Sequence, residues 1–331
     1  MKAVVMTAPG GPEVLQLTNV DDPRAPRENQ LLIQLRAAGV NPIDTKLRMR
    51  GHFGPANTPA VLGCDGAGVV EAVGPRVTRF RVGDRVYFCQ GGLGLGGGNY
   101  ADYAVVDADC VATIPESVEC ESAAVAPLVL ITAWEALHDR ARIQSGQKVL
   151  IHGGAGGVGH VAIQIAKAVG AEVATTVSDA AKAKFVTELG ADKVINYNRQ
   201  DVLREIMEWT DGRGVDIAFD TIGGATFSAS FPMVRHYGDL VTILEPDVST
   251  PWKIARNRNL RISFELMLTP QLENQRDALA HQGHILKECS ALMASGALKV
   301  QVNKTYPLAQ ASEAHRQLER GGMIGKIALK I

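Results

Sequence analysis

Long apolar runs are absent from this chain of 331 residues. A helix that crosses a membrane needs roughly 18 or more consecutive apolar residues, and no segment of the sequence reaches that length. Residues 1–6 lead directly into a strand-like stretch, without the apolar core of a signal peptide. We therefore expect no membrane partner and a cytoplasmic location.

Cysteine is also scarce, and its spacing shows no pattern. The five cysteines are odd in number and form no C-x-x-C pair. This argues against both a disulfide framework and a thiolate zinc knuckle, and it fits a reducing compartment. The cysteines are Cys64, Cys89, Cys110, Cys120 and Cys289.

Neither sign of charge prevails in the sequence. Lys and Arg number 34 against 35 Asp and Glu, and no run of like charge stands out. Proteins that bind nucleic acid or anionic membranes by charge carry a basic patch or run. We therefore expect no nucleic-acid partner, and a small molecule as the binding partner.

The remaining composition is that of a folded protein with more than one core. Hydrophobic residues make up 46% of the chain and charged residues 21%, which is typical of globular proteins. A chain of this length exceeds what one core usually organises, so two domains are expected. The first 125 or so residues are interrupted by Gly and Pro, which predicts an irregular β-rich domain. Its predicted strands lie at 31–35, 68–73, 85–88 and 103–106.

From about Pro127, apolar strands alternate with helical patterns, which predicts βαβ units in a parallel sheet. Five or six strands of this kind make a doubly wound domain. After about Arg261 the alternation stops, and a predicted helix at 282–294 leads into strands at 299–302 and 326–331. The alternating strands are predicted at 148–152, 172–177, 193–196, 215–220 and 240–244, with helices at 158–169 and 180–189.

A glycine loop follows the first of these strands and opens the first helix. Gly154, Gly156 and Gly159 match the G-x-G-x-x-G pattern of dinucleotide binding in the strand-to-helix context that the pattern requires. Glycines allow the turn and a close approach of the backbone to a pyrophosphate, and the helix N-terminus favours the anion. The alternative is a purely structural turn. The predicted cofactor contacts in the loop are Gly154, Ala155, Gly156, Gly157, Val158 and Gly159.

The end of the second strand favours NADPH over NADH. An NAD site places an acidic side chain there for the ribose 2′-hydroxyl, and such an acid would repel a 2′-phosphate. Here the strand ends at Ser178, and Lys182 in the next turn can meet a phosphate. Asp179 could instead supply the acid, and Lys182 could be a solvated helix lysine. Tyr197, at the end of the third strand, is a further candidate contact or a ring packed at a strand end.

These motifs together resemble the medium-chain dehydrogenase/reductase superfamily, and within it the zinc-free quinone oxidoreductase group, along nearly the whole chain. The resemblance implies a Rossmann doubly wound domain inserted in a β-rich GroES-like catalytic domain, with an active site in the cleft and a homodimeric assembly. The implied domains are residues 1–126 and 266–331 for the catalytic part and 127–265 for NADPH binding. The motifs are Gly39-Val40-Asn41-Pro42-Ile43-Asp44, Gly63-Cys64-Asp65-Gly66, Gly83-Asp84-Arg85-Val86, Thr132-Ala133-Trp134, the glycine loop, and Gly190-Ala191-Asp192.

The zinc enzymes of this superfamily hold a catalytic metal at positions that this chain fills differently. The motifs place Asn41, Cys64 with Asp65, and Leu128 there. Zinc requires three ligands of thiolate, imidazole or carboxylate type, which Asn41 and Leu128 cannot supply. We therefore expect no metal, with a zinc alcohol dehydrogenase using Cys64 and Asp65 as the alternative.

Without a Lewis acid, the plausible reaction is hydride transfer from NADPH to an activated acceptor, namely a quinone or an α,β-unsaturated carbonyl compound. Negative charge then builds on the acceptor oxygen and requires hydrogen-bond donors. Asn41 and Lys46 are the candidate donors. With Lys46, the segment that begins at Asn41 resembles the Asn-Pro-x-Asp-x-Lys pattern of plant enone oxidoreductases. Asn41 could instead cap the segment that begins at Pro42, Lys46 could be a solvated lysine, and Asp44 could pair with Lys46 or brace the loop.

Three further residues are candidate cofactor contacts. Thr132 matches a residue beside the nicotinamide ribose in the resembled group, or it is a buried helix threonine. Leu244 follows a strand end, where ligands bind in such sheets. Lys326 is a weaker candidate, and the glycine run at 91–98 is a mobile cover or an idle loop. A cofactor-binding protein without useful catalysis stays open as another function.

Overall fold

The computed structural model of the protein describes residues 1–55 and 59–331. Its strands are β1 (Lys2–Met6), β2 (Leu15–Asn19), β3 (Gln30–Val40), β4 (Ala60–Val61), β5 (Asp65–Val73), β6 (Arg85–Cys89), β7 (Tyr103–Asp107), β8 (Val111–Thr113), β9 (Lys148–Ile151), β10 (Glu172–Val177), β11 (Lys193–Asn196), β12 (Val215–Asp220), β13 (Val234–Thr242), β14 (Arg261–Phe264), β15 (Val302–Pro307) and β16 (Lys326–Lys330). Its α-helices are α1 (Pro42–Arg50), α2 (Cys120–Ala124), α3 (Pro127–Trp134), α4 (Gly159–Val169), α5 (Ala180–Glu188), α6 (Val202–Trp209), α7 (Ala225–Ala229), α8 (Trp252–Asn257), α9 (Thr269–Leu272), α10 (Arg276–Ala294) and α11 (Ala311–Arg320).

The contacts divide the chain into two compact units. Unit 1 consists of Met1–Leu128, Leu268–Gly296 and Val300–Ile331, and unit 2 consists of Val129–Met267 with Ala297–Lys299. Unit 1 is therefore built from both ends of the chain, with unit 2 inserted in its sequence.

Unit 2 is organised around a parallel sheet of six strands in the order β11-β10-β9-β12-β13-β14. Val149 in β9 lies opposite Val173 of β10 and Ile217 of β12, so the sheet grows in both directions from β9. Strands covered on both faces read as continuous apolar runs, and residues 149–151 are fully buried. The strand order confirms the predicted doubly wound fold, which is the Rossmann arrangement.

The structure of unit 2 differs from the prediction at two strands. β13 begins at Val234 and ends at Thr242, so Leu244 lies beyond the strand. A sixth strand, β14, begins at Arg261, where the sequence pattern ends the alternation, and it pairs in parallel with β13. β14 was not recognised because it is short and partly exposed at the edge of the sheet, and so lacks the apolar run of a central strand.

The predicted strand at 299–302 was wrong, because β15 begins only at Val302. Lys299 instead pairs with a side chain of α4: its N–H donates to Gln164 Oε1 (2.8 Å) and its carbonyl accepts from Gln164 Nε2 (2.9 Å). These two bonds occupy the backbone groups that a strand would need. The predicted helix at 282–294 exists and begins earlier, at Arg276.

Unit 1 is a β-rich domain that contains two sheets. The larger follows the order β15-β16-β3-β5-β6-β8, with β7 also paired to β3, and the smaller has the order β2-β1-β4. Leu31, Ile33 and Leu35 alternate along β3 and are buried in the core between the strands.

The last strand, β16, lies between β15 and β3 in the larger sheet of unit 1. β16 pairs antiparallel with β3, with Ile327 opposite Val40 and Ala328 opposite Gly39. This register places Lys326 beside the start of α1. Among the described residues, no helix is both long and apolar enough to cross a membrane.

The close approach of β5 to β3 predicts a strong effect of one small substitution. A Cβ on Gly68 would lie 2.1 Å from the carbonyl oxygen of Gln34, which belongs to the backbone and cannot rotate away. We expect Gly68→Ala to lower the free energy of unfolding by roughly 1–3 kcal/mol. Gly97→Ala is the matched control, since nothing lies within 4 Å of its Cβ position. Denaturant unfolding of both variants measures this, and equal midpoints would contradict the close packing.

Candidate active site and cofactor site

The glycine loop of unit 2 is held in a tight turn by the neighbouring strand. Gly153 has φ +70°, its N–H donates to Thr176 Oγ1 (3.0 Å), and the N–H of Gly154 donates to the Thr176 carbonyl (3.2 Å). The N–H of Gly156 closes the turn on the Gly153 carbonyl at 2.9 Å. The loop conformation is therefore fixed by β10 before any ligand binds.

The loop glycines differ in what a side chain would meet. A Cβ on Gly154 would lie 2.1 Å from Thr175 Oγ1, and one on Gly159 would lie 2.3 Å from the Gly153 carbonyl oxygen. A Cβ on Gly156 would have only that same oxygen nearby, at 3.2 Å, so Gly156 is open toward the outside of the loop. Gly154 and Gly159 are thus needed for the packing of the loop. The missing side chain of Gly156 leaves an open space beside the loop, here called the cradle, that a Cβ would fill.

This cradle fits the phosphates of a dinucleotide. Among residues 1–55 and 59–331, the backbone N–H groups of Gly157 and Val158 donate to no carbonyl. They precede the first turn of α4, where the helix dipole is positive, and half-buried Gly156 lies beside them. Ala155, within the loop, is buried.

The predicted selectivity residues lie together at the end of β10. Lys182 Nζ donates to Ser178 Oγ (2.8 Å) and lies 3.4 Å from Asp179 Oδ2. Asp179 caps α5, because its Oδ1 accepts the N–H of Lys182 (2.9 Å). This bond and the hydroxyl of Ser178 lower the pKa of Asp179. The carboxylate is thus engaged as a helix cap, with the ammonium of Lys182 beside it.

Two of the other predicted contacts of unit 2, Tyr197 and Leu244, lie just beyond the carboxyl ends of strands, whereas Thr132 lies in a helix. The Tyr197 N–H donates to the Val177 carbonyl (3.1 Å), and its side chain is 52% exposed. Leu244 is half-buried, and its N–H donates to Thr242 Oγ1 (3.2 Å). Thr132 is buried in α3. Their contacts with a cofactor stay predictions.

In unit 1, Asn41 lies at the centre of a buried polar cluster. Its Nδ2 donates to Asp65 Oδ2 (2.8 Å), and its Oδ1 accepts from Lys326 Nζ, which also lies 3.2 Å from the Val40 carbonyl. All three side chains are buried. Asn41 is also the N-cap residue of α1, because its carbonyl accepts the N–H of Asp44 (3.0 Å) and Asp44 Oδ2 accepts its N–H (2.8 Å).

Asp44 braces the start of α1 and makes no pair with Lys46. Its Oδ2 accepts the N–H of Asn41 (2.8 Å) and the hydroxyl of Tyr100 (2.9 Å). Burial raises the pKa of Asp44 to about 7, against the lowering effect of these two bonds. Lys46 is exposed on the same helix. The structure therefore brings Asn41 and Asp44 together and leaves Lys46 at the surface.

The positions that correspond to zinc ligands are adjacent, but their chemistry does not suit zinc. Asp65 Oδ1 accepts the N–H of Leu128 (2.9 Å), while Oδ2 is taken by Asn41. The positive charge at this point comes from Lys326, whose pKa is lowered by burial. Across the part of the chain that the structure describes, no group of three or more His, Cys, Asp or Glu side chains could hold a metal ion.

The sequence did not indicate two members of this cluster. Tyr100 Oη lies 2.9 Å from Asp44 and 3.2 Å from His315 Nε2, and both side chains are fully buried. Tyr100 follows the glycine run and His315 lies in α11, so 215 residues separate them. No motif connects the two positions, and only the folding of the C-terminal segment onto unit 1 brings them together.

The glycine run at 91–98 is fastened at one end. The N–H of Gly91 donates to Gln271 Oε1 (3.2 Å), and Gln271 Nε2 donates to the Gly91 carbonyl (3.1 Å). The run lines a cavity of about 780 Å³ within unit 1, together with Arg24, Arg27 and Asn99. Whether it covers an acceptor pocket stays a prediction.

Two family models match this chain. An alcohol dehydrogenase GroES-like domain matches residues 27–116, and a zinc-binding dehydrogenase model matches residues 189–329. The first match confirms the predicted GroES-like domain in unit 1. The description of the second refers to zinc, but Asn41, Asp65 and Leu128 lie outside the residues that it matches.

Similar proteins cover the chain from end to end. A quinone oxidoreductase of Pseudomonas aeruginosa is 33% identical over 99% of both chains. The crystal structure of an alcohol dehydrogenase superfamily protein from Novosphingobium aromaticivorans is 38% identical, covers 100% of this chain and 99% of its own, and has a TM-score of 0.93. The Escherichia coli quinone oxidoreductase complexed with NADPH is 31% identical over 100% of both chains, with a TM-score of 0.85. By these similarities the chain belongs to the quinone oxidoreductase group of the medium-chain dehydrogenase/reductase superfamily.

Proposed function

We propose that the protein is an NADPH-dependent reductase that transfers a hydride to quinones or α,β-unsaturated carbonyl compounds without zinc. The observation that carries the proposal is the buried contact of Lys326 with Asn41, whose amide also bonds Asp65, because it supplies a positive charge where zinc relatives hold a metal. Membership in the quinone oxidoreductase group and the NADPH-bound Escherichia coli relative support the reaction and the cofactor.

The residues of unit 2 would hold the cofactor in two places. The N–H groups of Gly157 and Val158 would bind the pyrophosphate at the start of α4, beside the open face of Gly156. Lys182 would bind the 2′-phosphate, with Ser178 as a further donor, because its ammonium already lies at the strand end. Thr132, Tyr197 and Leu244 are proposed as contacts along the ribose and nicotinamide parts.

The residues of unit 1 would stabilise the reduced acceptor. NADPH, when bound, supplies the hydride, and the acceptor oxygen then carries developing negative charge. Asn41 Nδ2 has two N–H groups, of which Asp65 takes one, so the second can donate to that oxygen. Lys326 polarises the same amide through Oδ1. Lys46, exposed on α1, would act as a further donor for enone substrates.

We further propose that the catalytic domain comprises residues 1–126 and 266–331, that 127–265 bind NADPH, and that two copies associate through β14. This strand pairs with β13 along one edge, and among the described residues its other edge has no strand partner. Phe264 and Leu266 are 55% and 56% exposed there. A free edge with exposed apolar side chains suits pairing with a second copy about a twofold axis.

The reductase proposal predicts NADPH oxidation by a panel of quinones and enones. We expect turnover in protein that carries less than about a tenth of a zinc per chain by elemental analysis, and no loss of rate after chelator treatment. The readout is the decrease of NADPH absorbance. No turnover with any acceptor, despite tight NADPH binding, would instead indicate a cofactor-binding protein, and activity that requires added zinc would indicate an alcohol dehydrogenase of the metal type.

Cofactor selectivity should depend on Lys182. We expect Lys182→Ala to weaken NADPH binding by roughly 1–3 kcal/mol and to leave NADH binding nearly unchanged, because one charge-assisted phosphate contact is lost. Lys184→Ala is the matched control on the same helix, where the side chain is 81% exposed. Titration calorimetry with both cofactors measures the difference. An equal loss for NADPH and NADH would argue against a 2′-phosphate contact.

The assembly proposal predicts a dimer that depends on β14. We expect the wild type to have twice the mass of one chain in solution, and Phe264→Asp to shift it toward the monomer, because a charge would be buried at the pairing edge. Tyr237→Asp is a control for an added surface charge, since Tyr237 is 62% exposed and lies outside β14. Light scattering after size exclusion measures both. A wild-type monomer would refute the assembly.

A further inference from the structure

A chain of hydrogen bonds runs from Asp44 into the interior of unit 1. Tyr100 Oη lies 2.9 Å from Asp44 Oδ2 and 3.2 Å from His315 Nε2, and the rings of Tyr100 and His315 meet edge to face. All three side chains are fully buried. The catalytic cluster needs only Asp44 of these residues to brace α1, so the extension through Tyr100 and His315 requires an explanation.

The hydrogen-bond donors of Tyr100 and His315 both point toward Asp44. Ionised Asp44 can only accept, so the hydroxyl of Tyr100 donates to it. The Tyr100 oxygen is then left to accept, which assigns the proton of neutral His315 to Nε2. Among the described residues, Asp44 Oδ1 and His315 Nδ1 have no hydrogen-bond partner. The unpartnered Oδ1 thus lacks the hydrogen bonds that would favour the ionised form of Asp44.

Charges surround this carboxyl from several elements. Asp65 in β5 opposes its ionisation and Lys326 in β16 favours it, while Cys64 lies nearby as a buried thiol. Burial, and after it the nearby charge of Arg48 in α1, lower the pKa of His315 to about 3, and Arg48 itself pairs with Glu319 of α11. Burial also raises the pKa of Asp65 and lowers that of Lys326, but the attraction between these two charges opposes both shifts, whereas the pKa of Asp44 is raised to about 7.

We propose that Tyr100 and His315 are positioning residues that control the charge of Asp44, and through it how strongly Asn41 and Lys326 stabilise negative charge on the reduced acceptor. The inference rests on the proposed reductase function. With Asp44 neutral, the single carboxylate of Asp65 balances Lys326. With Asp44 ionised, the cluster carries a net negative charge that opposes the developing oxyanion.

The charge of Asp44 gives the reaction a pH dependence with a definite sign. The neutral form favours hydride transfer, so kcat should decrease as pH rises through about 7, where Asp44 titrates. The hydroxyl of Tyr100 stabilises the ionised form, so its removal extends the active range toward alkaline pH. Loss of the His315 donor weakens that hydroxyl bond and acts in the same direction.

Kinetic pH profiles at saturating NADPH and quinone test this assignment. We expect Tyr100→Phe to shift the alkaline limb upward by roughly half a pH unit or more, and Asp44→Asn to abolish it. His315→Leu should shift the limb in the same direction, whereas His315→Gln, whose amide can donate to Tyr100, should restore the wild-type profile. Tyr103→Phe is the matched control, because the Tyr103 hydroxyl only accepts a long bond from Gln34 (3.4 Å).

Thermal unfolding of the cofactor-free protein provides a test that does not need activity. The pKa of Asp44 is raised on folding, so its contribution to stability is lost as pH rises from about 4 to about 7. Buried His315 and His152, with pKa values lowered to about 3 and about 4, act in the opposite direction. The difference in unfolding midpoint between Asp44→Asn and wild type isolates Asp44, and we expect it to grow in favour of the variant over this range.

The two readouts separate the possible failures. Identical profiles of rate and of midpoint against pH for wild type, Tyr100→Phe and Asp44→Asn would overturn the inference. If the wild type reduces no acceptor but the midpoint difference follows the expected course and shifts to higher pH when it is measured in the Tyr100→Phe background, the reductase function fails and the control of Asp44 by Tyr100 stands. If Tyr100→Phe does not fold, Asp44→Asn and the His315 pair decide the question.

Discussion

The antiparallel pairing of β16 with β3 is the contact on which the candidate active site depends. It brings Lys326, the first residue of β16, against Asn41, whose amide also bonds the buried carboxylate of Asp65. A buried ammonium without a carboxylate would be strongly disfavoured, and so would a buried carboxylate without a donor. The strand pairing that joins β16 to the sheet therefore also supplies the positive charge that the buried cluster needs. The fold of unit 1 and the electrostatics of the site depend on each other.

In unit 2, the candidate cofactor contacts lie at the ends of neighbouring strands. Its parallel strands place the residues after β9, β10, β11 and β13 along one edge of the sheet, so a loop for phosphates and a lysine for a 2′-phosphate lie at neighbouring strand ends. Thr175 and Thr176 in β10 set the shape of the loop, since one fills the space beside Gly154 and the other binds Gly153. The loop is thus shaped by the strand next to it as well as by its own glycines.

Tyr100 and His315 extend the polar cluster beyond Asp44 into the interior of unit 1. Neither side chain is among the groups expected to touch the acceptor, yet the Tyr100 hydroxyl lowers the pKa of the carboxyl that braces Asn41, and His315 contacts that hydroxyl. Because the interior of unit 1 screens charges weakly, a single hydroxyl can change the protonation of Asp44 near neutral pH.

The sequence by itself determined the local features: the alternation of strands and helices, the glycine loop, Ser178 with Lys182 one turn later, and the amide at Asn41. These depend on periodicity, turn chemistry and short motifs, which neighbouring residues carry. It could not determine that Asp44 pairs with Tyr100 and not with Lys46, that Lys326 lies against Asn41, or that β14 adds a sixth strand at the sheet edge. Those depend on contacts between residues tens to hundreds of positions apart, and only the tertiary structure decides which buried polar groups satisfy one another.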